Sequence, residues 1–216
     1  MEKQSNESII GDSGRSAFWR KVKPSQLKFY SVAAASAYVG KIQPGSECFG
    51  LSKGQFSLID LVEHVISEVG PCEMDISTWT AADADAARVI ELVKSRDVLK
   101  MRWLIDRVVL TRQPKLVGQI IESFTKDAIR LIRTHAKFIL LRNDDWKIAI
   151  VTSMNLNSNP RFESFQMSTD GSLCEFFTRF VDQVYSQQAK ELYIQPSDVP
   201  AFDDGTRDLF AEAMMQ

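Results

Sequence analysis

Residues 135–165 read HAKFILLRNDDWKIAIVTSMNLNSNPRFESF. Two apolar runs, 135–142 and 146–153, flank Asn143-Asp144-Asp145, and that pattern predicts a β-hairpin with the polar triplet as its turn. Successive strand side chains point to opposite faces, so His135 and Lys137 share a face, and so do Ser153 and Asn155 at the end of the second run. Antiparallel pairing places the start of the first strand beside the end of the second. The hairpin therefore gathers an imidazole, an ammonium, a hydroxyl and a carboxamide. Such a group suits a phosphate: the imidazole can attack phosphorus or move a proton, while Lys, Ser and Asn donate to its oxygens. His-x-Lys alone arises often by chance, and an isolated strand histidine is more often structural than catalytic. The ordered set gives this one its interest.

Outward from the hairpin, the chain alternates between two periodicities. Leu58, Ile59, Val62, Val65, Ile66 and Val69 recur at helical spacing, and Gly70-Pro71 stops that helix. Residues 74–80 read as a strand, 82–95 as a helix with Ala86, Val89, Ile90 and Val93 on one face, and 100–106 as a second strand. Pro114 opens a helix striped by Leu116, Val117, Ile120, Ile121 and Phe124. Residues 128–133 form another strand-like run. Ser172 with Glu175 predicts a capping box for a helix that turns Leu173, Phe176, Phe177, Phe180, Val181 and Val184 inward. Strands alternating with helices, then a hairpin, then a helix, predict an α/β fold with a mixed β-sheet flanked by helices. The other histidine, His64, lies off the apolar stripe of its helix and reads as a surface residue.

The chain has 216 residues, enough for one domain with a real core. No apolar run reaches the length of a membrane span, and the first 15 residues lack the apolar centre of a signal peptide. Cys48, Cys72 and Cys174 are few and far apart, fitting neither a disulfide framework nor a zinc site, so a reduced, cytoplasmic protein is expected. The net charge of −2 conceals an asymmetry. Residues 13–45 carry Arg15, Arg20, Lys21, Lys23, Lys28 and Lys41 and no acid, whereas 196–216 carry five acids against Arg207. Locally basic segments bind polyanions whatever the global charge, although a charge run is as often a solvated face. The expected division is an N-terminal segment and basic arm over 1–45, a folded domain over 46–190 and an acidic tail over 191–216. In the arm, Arg15, Arg20, Lys21, Lys23 and Lys28 are the candidate nucleic-acid contacts.

The set His-x-Lys, apolar strand, acidic turn, second apolar strand, Ser-x-Asn and downstream Glu163 resembles the phospholipase D superfamily signature. That signature runs His-x-Lys-x4-Asp, then Gly-Ser-x-Asn, then a later Asn/Glu pair. The sequence departs from it twice: Arg142 stands where the Asp belongs, with Asp144 and Asp145 two and three positions later, and Thr152 replaces the glycine. The resemblance implies a phospholipase D-like fold and a metal-independent phosphodiesterase without a cofactor. It implies His135 as nucleophile or leaving-group acid, and Lys137, Ser153 and Asn155 on the phosphate. Glu163, or Asp144 through a longer hairpin, would support the histidine. Two motif copies meet in that family, so a single copy implies a homodimer, and single-motif members are mainly nucleases. DNA or RNA is therefore the expected substrate. A degenerate member that binds nucleic acid or a protein without cutting, and a phosphodiesterase or transferase on lipid or small-molecule substrates, remain open.

Overall fold

The structure, a computed structural model, describes residues 34–187 apart from 125, 158 and 159. The five arm cations from Arg15 to Lys28 and the acidic tail lie outside the described residues. In chain order the elements are α1 (Ala35–Val39), β1 (Glu47–Ser52), α2 (Leu58–Val69), β2 (Cys72–Thr78), α3 (Asp83–Lys94) and β3 (Val98–Asp106). They continue with α4 (Val109–Arg112), α5 (Pro114–Ser123), a 3-10 turn (Lys126–Ala128), β4 (Ile129–Ile132), β5 (Phe138–Arg142), β6 (Lys147–Thr152), β7 (Glu163–Ser168) and α6 (Gly171–Gln187).

The seven strands form one sheet in the order β1-β7-β6-β5-β2-β3-β4. β2, β3 and β4 run parallel, whereas β2–β5, β5–β6, β6–β7 and β7–β1 are antiparallel. This is the expected α/β class with a mixed sheet. Alternation along β5 shows why the sheet is covered on both faces: Ile139 and Leu141 join one apolar cluster, and Phe138 and Leu140 join the other. The first cluster also buries the stripes of α2, α3 and α5, and the second buries Leu173, Val181 and Val184 of α6. Strands buried on both faces read as continuous apolar runs, as FILL and IAIV do.

α2 starts at a capping box in which Ser57 and Asp60 each accept the other's backbone N–H, and it ends at Gly70, whose φ of +80° favours glycine. α6 departs from expectation. Its cap is Asp170, whose Oδ1 accepts the Ser172 N–H at 3.1 Å, while Glu175 instead pairs with Lys147 of β6 at 2.7 Å. His64 is more than a surface residue, for its Nε2 meets the Gly40 carbonyl at 2.8 Å and ties the end of α1 to α2. α1, within the stretch assigned to the arm, puts Ala35 into the core and Tyr38 edge-on to Phe56 at 5.1 Å.

β1 and β7 lack the unbroken apolar runs of β5 and β6. Gly50 of β1 faces the Phe165 ring of β7 so closely that a Cβ there would lie 2.3 Å from Cε1, so only glycine permits the pairing. Phe49 and Leu51, 69% and 66% exposed, share the face that α6 covers farther along the sheet, as the register Phe49–Gln166–Val151–Phe138 shows. Among the described residues no helix is long and apolar enough to cross a membrane.

Candidate active site

The parallel strands β2, β3 and β4 all end at the same edge, where β5 and β7 begin and β6 ends. In open α/β sheets that edge is where ligands bind. His135 and Lys137 lie in the extended segment joining β4 to β5, which enters the sheet at Phe138 rather than at His135 as expected. The ladder is replaced there by side chains: Ser77 Oγ donates to the Ala136 carbonyl at 2.9 Å, although the Thr152 N–H still reaches the Lys137 carbonyl at 3.0 Å.

His135 and Lys137 meet as the spacing predicts. Lys137 Nζ donates to the His135 carbonyl at 2.8 Å and lies 3.3 Å from His135 Nδ1. An ammonium can only donate, so Nδ1 accepts and the proton of a neutral ring sits on Nε2. Lys137 is only 6% exposed, while His135 is open to solvent. Burial pushes the Lys137 pKa below its ordinary 10.5, and the field of Glu163 holds part of that shift back.

Ser153 follows β6, and its hydroxyl donates to Glu163, the first residue of β7; Ser153 Oγ also accepts the Ser164 N–H at 2.9 Å. Glu163 was expected behind His135. Among the described residues its carboxylate takes the Ser153 hydroxyl instead, and it acts on Lys137 through space. Thr152, in the place of the motif glycine, turns the chain out of the strand: its Oγ1 donates to the Ser164 carbonyl at 2.7 Å and accepts the Met154 N–H at 3.0 Å. The chain then crosses from the end of β6 to Ala81 beyond β2, where Leu156 bridges Ala81 and accepts the Ala82 N–H. Since β5 lies between β6 and β2, this crossing carries Asn155 past the start of β5. Asn155 Oδ1 is buried there without a hydrogen-bond partner among the described residues, leaving an acceptor in need of one.

Asp144 is not part of this group. It sits in the exposed β5–β6 turn, at the opposite end of β5 from His135, where Asn143 holds the bend by accepting the Asp145 and Trp146 N–H groups. A strand of five residues separates the two ends, so no lengthening of the hairpin could have brought Asp144 back. Arg142 shares that far end. Its guanidinium pairs with Asp75 of β2 at 2.7 Å, and Arg102 of β3 pairs with the same carboxylate at 2.7 Å. The departure at position 142 is therefore absorbed by a structural ion-pair network away from the site.

Sequence reasoning missed the other wall. A cleft of about 530 Å³ opens beside His135, bounded by Trp79, Asp106, Arg107, Arg133 and Thr134. Asp106 shapes it by accepting the Val108 and Thr134 N–H groups, each at 2.8 Å, which fixes the approach to His135. The Trp79 ring lies 5.5 Å from that of His135. The position just past the end of a parallel strand was the available signal. Among the described residues no group of three or more His, Cys, Asp or Glu is placed to hold a metal ion.

No protein-family model matches the chain. A curated relative, a mitochondrial pentatricopeptide repeat-containing protein of Arabidopsis thaliana, is 29% identical over 76 residues, which is 35% of this chain and 13% of that protein. Among solved structures, the chain is similar to polyphosphate kinase from Porphyromonas gingivalis at 13% identity and a TM-score of 0.49, covering 67% of this chain and 26% of that one. It is similar to NucT from Helicobacter pylori at 14% identity and a TM-score of 0.46, covering 65% and 97%. It is also similar to Nuc from Salmonella typhimurium, a phospholipase D family member, at 19% identity and a TM-score of 0.44, covering 66% and 95%.

Proposed function

We propose that this chain is a phospholipase D-like, metal-independent phosphodiesterase that cleaves nucleic acid, with two copies combining their His135 side chains in one composite site. The observation that carries the reading is the buried Lys137 ammonium held 3.3 Å from the exposed His135 imidazole, on the sheet edge that Ser153 and Glu163 share. A cation in that position favours negative charge developing on phosphorus oxygens. Binding of a phosphate draws Lys137 Nζ from Nδ1 to the phosphate oxygens. The ring then carries its proton on Nδ1 and attacks phosphorus through Nε2, forming an N–P bond as the P–O bond breaks. The leaving oxygen takes a proton from the second copy's His135. Water then attacks phosphorus, yields its proton to that neutral imidazole, and the N–P bond breaks to restore the first ring. His64 does not supply the acid, since it lies on α2 and is tied to the Gly40 carbonyl at the end of α1.

The test is cleavage of single- and double-stranded DNA and RNA with excess chelator present. Cleavage should persist in chelator and vanish in His135→Ala. Cleavage that requires an added divalent ion, or that survives His135→Ala, contradicts the reading. The solution mass of the active species should be that of two chains, and full activity from a single-chain species contradicts the composite site.

A further inference from the structure

Trp79 is a large aromatic side chain that the core does not use. Trp103 and Trp146 pack with the apolar cluster under α2, α3 and α5, whereas Trp79 belongs to neither cluster. It follows the last residue of β2, where Thr78 Oγ1 donates to the Thr80 carbonyl and bends the chain outward. The indole is thereby set half-buried in the cleft wall, beside the His135 ring and with the Arg112 guanidinium 5.6 Å from its centroid.

The charge around it is mainly positive. Arg107 and Arg133 line the same cleft, and Arg112 stands over the indole. The acid among them, Asp106, has both oxygens engaged by backbone N–H groups, so its charge is committed to holding the loops. A ligand for this wall needs negative charge and a flat face. A duplex offers the charge but keeps its base faces covered by its own stack. A phospholipid offers the charge without a flat face, although Val108 and Leu110 give alkyl chains some surface. An unpaired nucleotide offers both.

We infer that Trp79 is a base-stacking platform and that Arg107 is a backbone clamp for a single-stranded polynucleotide, holding the nucleotide next to the phosphate that His135 attacks. This inference rests on the proposed function for that phosphate. It adds strandedness and two specificity residues that the resemblance does not supply. Stacking on an aromatic side chain is tolerant of sequence and carries no charge, whereas a phosphate contact is salt-dependent.

The two contributions separate in one experiment. A fluorescent oligothymidylate is titrated with the full chain in the His135→Asn background, so that the strand stays uncut, across a salt series. The same strand in duplex form and vesicles of phosphatidylglycerol are titrated in parallel, and thermal melting confirms that each variant is folded. Trp79→Leu should weaken single-strand binding by about five- to a hundred-fold with an unchanged salt slope, and Trp79→Phe should recover most of the loss. Arg107→Gln should lower the salt slope by about 0.7. Duplex and vesicle binding should be indifferent to Trp79→Leu. Unchanged single-strand affinity in folded Trp79→Leu overturns the inference, as does no single-strand binding at all, or an equal loss on duplex or on vesicles. The failures are distinguishable. The stacking signature without cleavage by the unsubstituted chain sinks the proposed function alone, and cleavage without the signature sinks the platform alone.

Discussion

Of two buried charges, one lies within the sheet and one at its edge, and their surroundings differ. Asp75, 1% exposed, accepts Arg102 Nε and Nη2 at 2.7 Å each and pairs with Arg142 at 2.7 Å, while Asp182 of α6 takes Arg102 Nη1 at 2.6 Å. Both oxygens of that carboxylate are engaged by guanidinium groups. Lys137, 6% exposed, has no carboxylate in contact among the described residues; it holds a carbonyl, one ring nitrogen and the distant field of Glu163. A buried charge that is fully paired resists change, and one that lacks its counter-ion is a place for an anion to bind. The first region explains how β2, β3, β5 and α6 are joined. The second is where chemistry is expected.

The contrast breaks most visibly at the second region. His135→Ala should abolish turnover, and Lys137→Ala should reduce it by about 10²–10³-fold by removing a donor aimed at developing charge. Both variants should melt as folded proteins, and single-turnover kinetics with melting curves checks both points. Asp75→Ala should do the reverse. It removes the buried carboxylate that two guanidinium groups share and should cost about 3–5 kcal/mol in a denaturant titration, with turnover per folded molecule retained.

Smaller effects sharpen the same comparison. Activity needs Lys137 charged. Since burial depresses its pKa, the alkaline limb of the pH–rate profile should fall below the ordinary lysine value of 10.5. Glu163 favours the ammonium, so Glu163→Gln removes that support and should move the limb to lower pH still. A limb that moves upward, or an unshifted one, contradicts the assignment of Lys137. Ser153→Ala should be milder than Lys137→Ala, because it removes a neutral donor. Asp144→Asn, in an exposed turn at the far end of β5, should change stability by no more than about 0.5 kcal/mol and leave turnover unaltered.

The hairpin was legible in the sequence because β5 and β6 are buried on both faces and carry unbroken apolar runs. The meeting of His135 with Lys137 followed from the strand period even though the strand itself starts three residues later. β1 was hidden because half of its side chains are exposed, and β7 because only Phe165 and Met167 in it are apolar; Gly50 moreover works through a contact 115 residues away, with Phe165. The motif spacing marks Arg142 as a departure from the signature; the register sets it opposite Glu73 of β2, and its charge is answered by Asp75, two residues farther along that strand. Trp79, Asp106 and Arg107 were invisible for the same reason. They come from the ends of β2 and β3, and only parallel pairing with β4 sets them beside His135.

The central claim is that the His135 ring forms a covalent bond to phosphorus. The most direct measurement is a rapid alkaline quench of the chain mixed with single-stranded substrate in excess chelator, followed by digestion and peptide mass analysis. The account expects a phosphoryl-nucleotide adduct on the peptide that contains His135, formed within the first turnover and absent from His135→Ala. Cleavage proceeding with no adduct at any quench time, or an adduct on another residue, would contradict it.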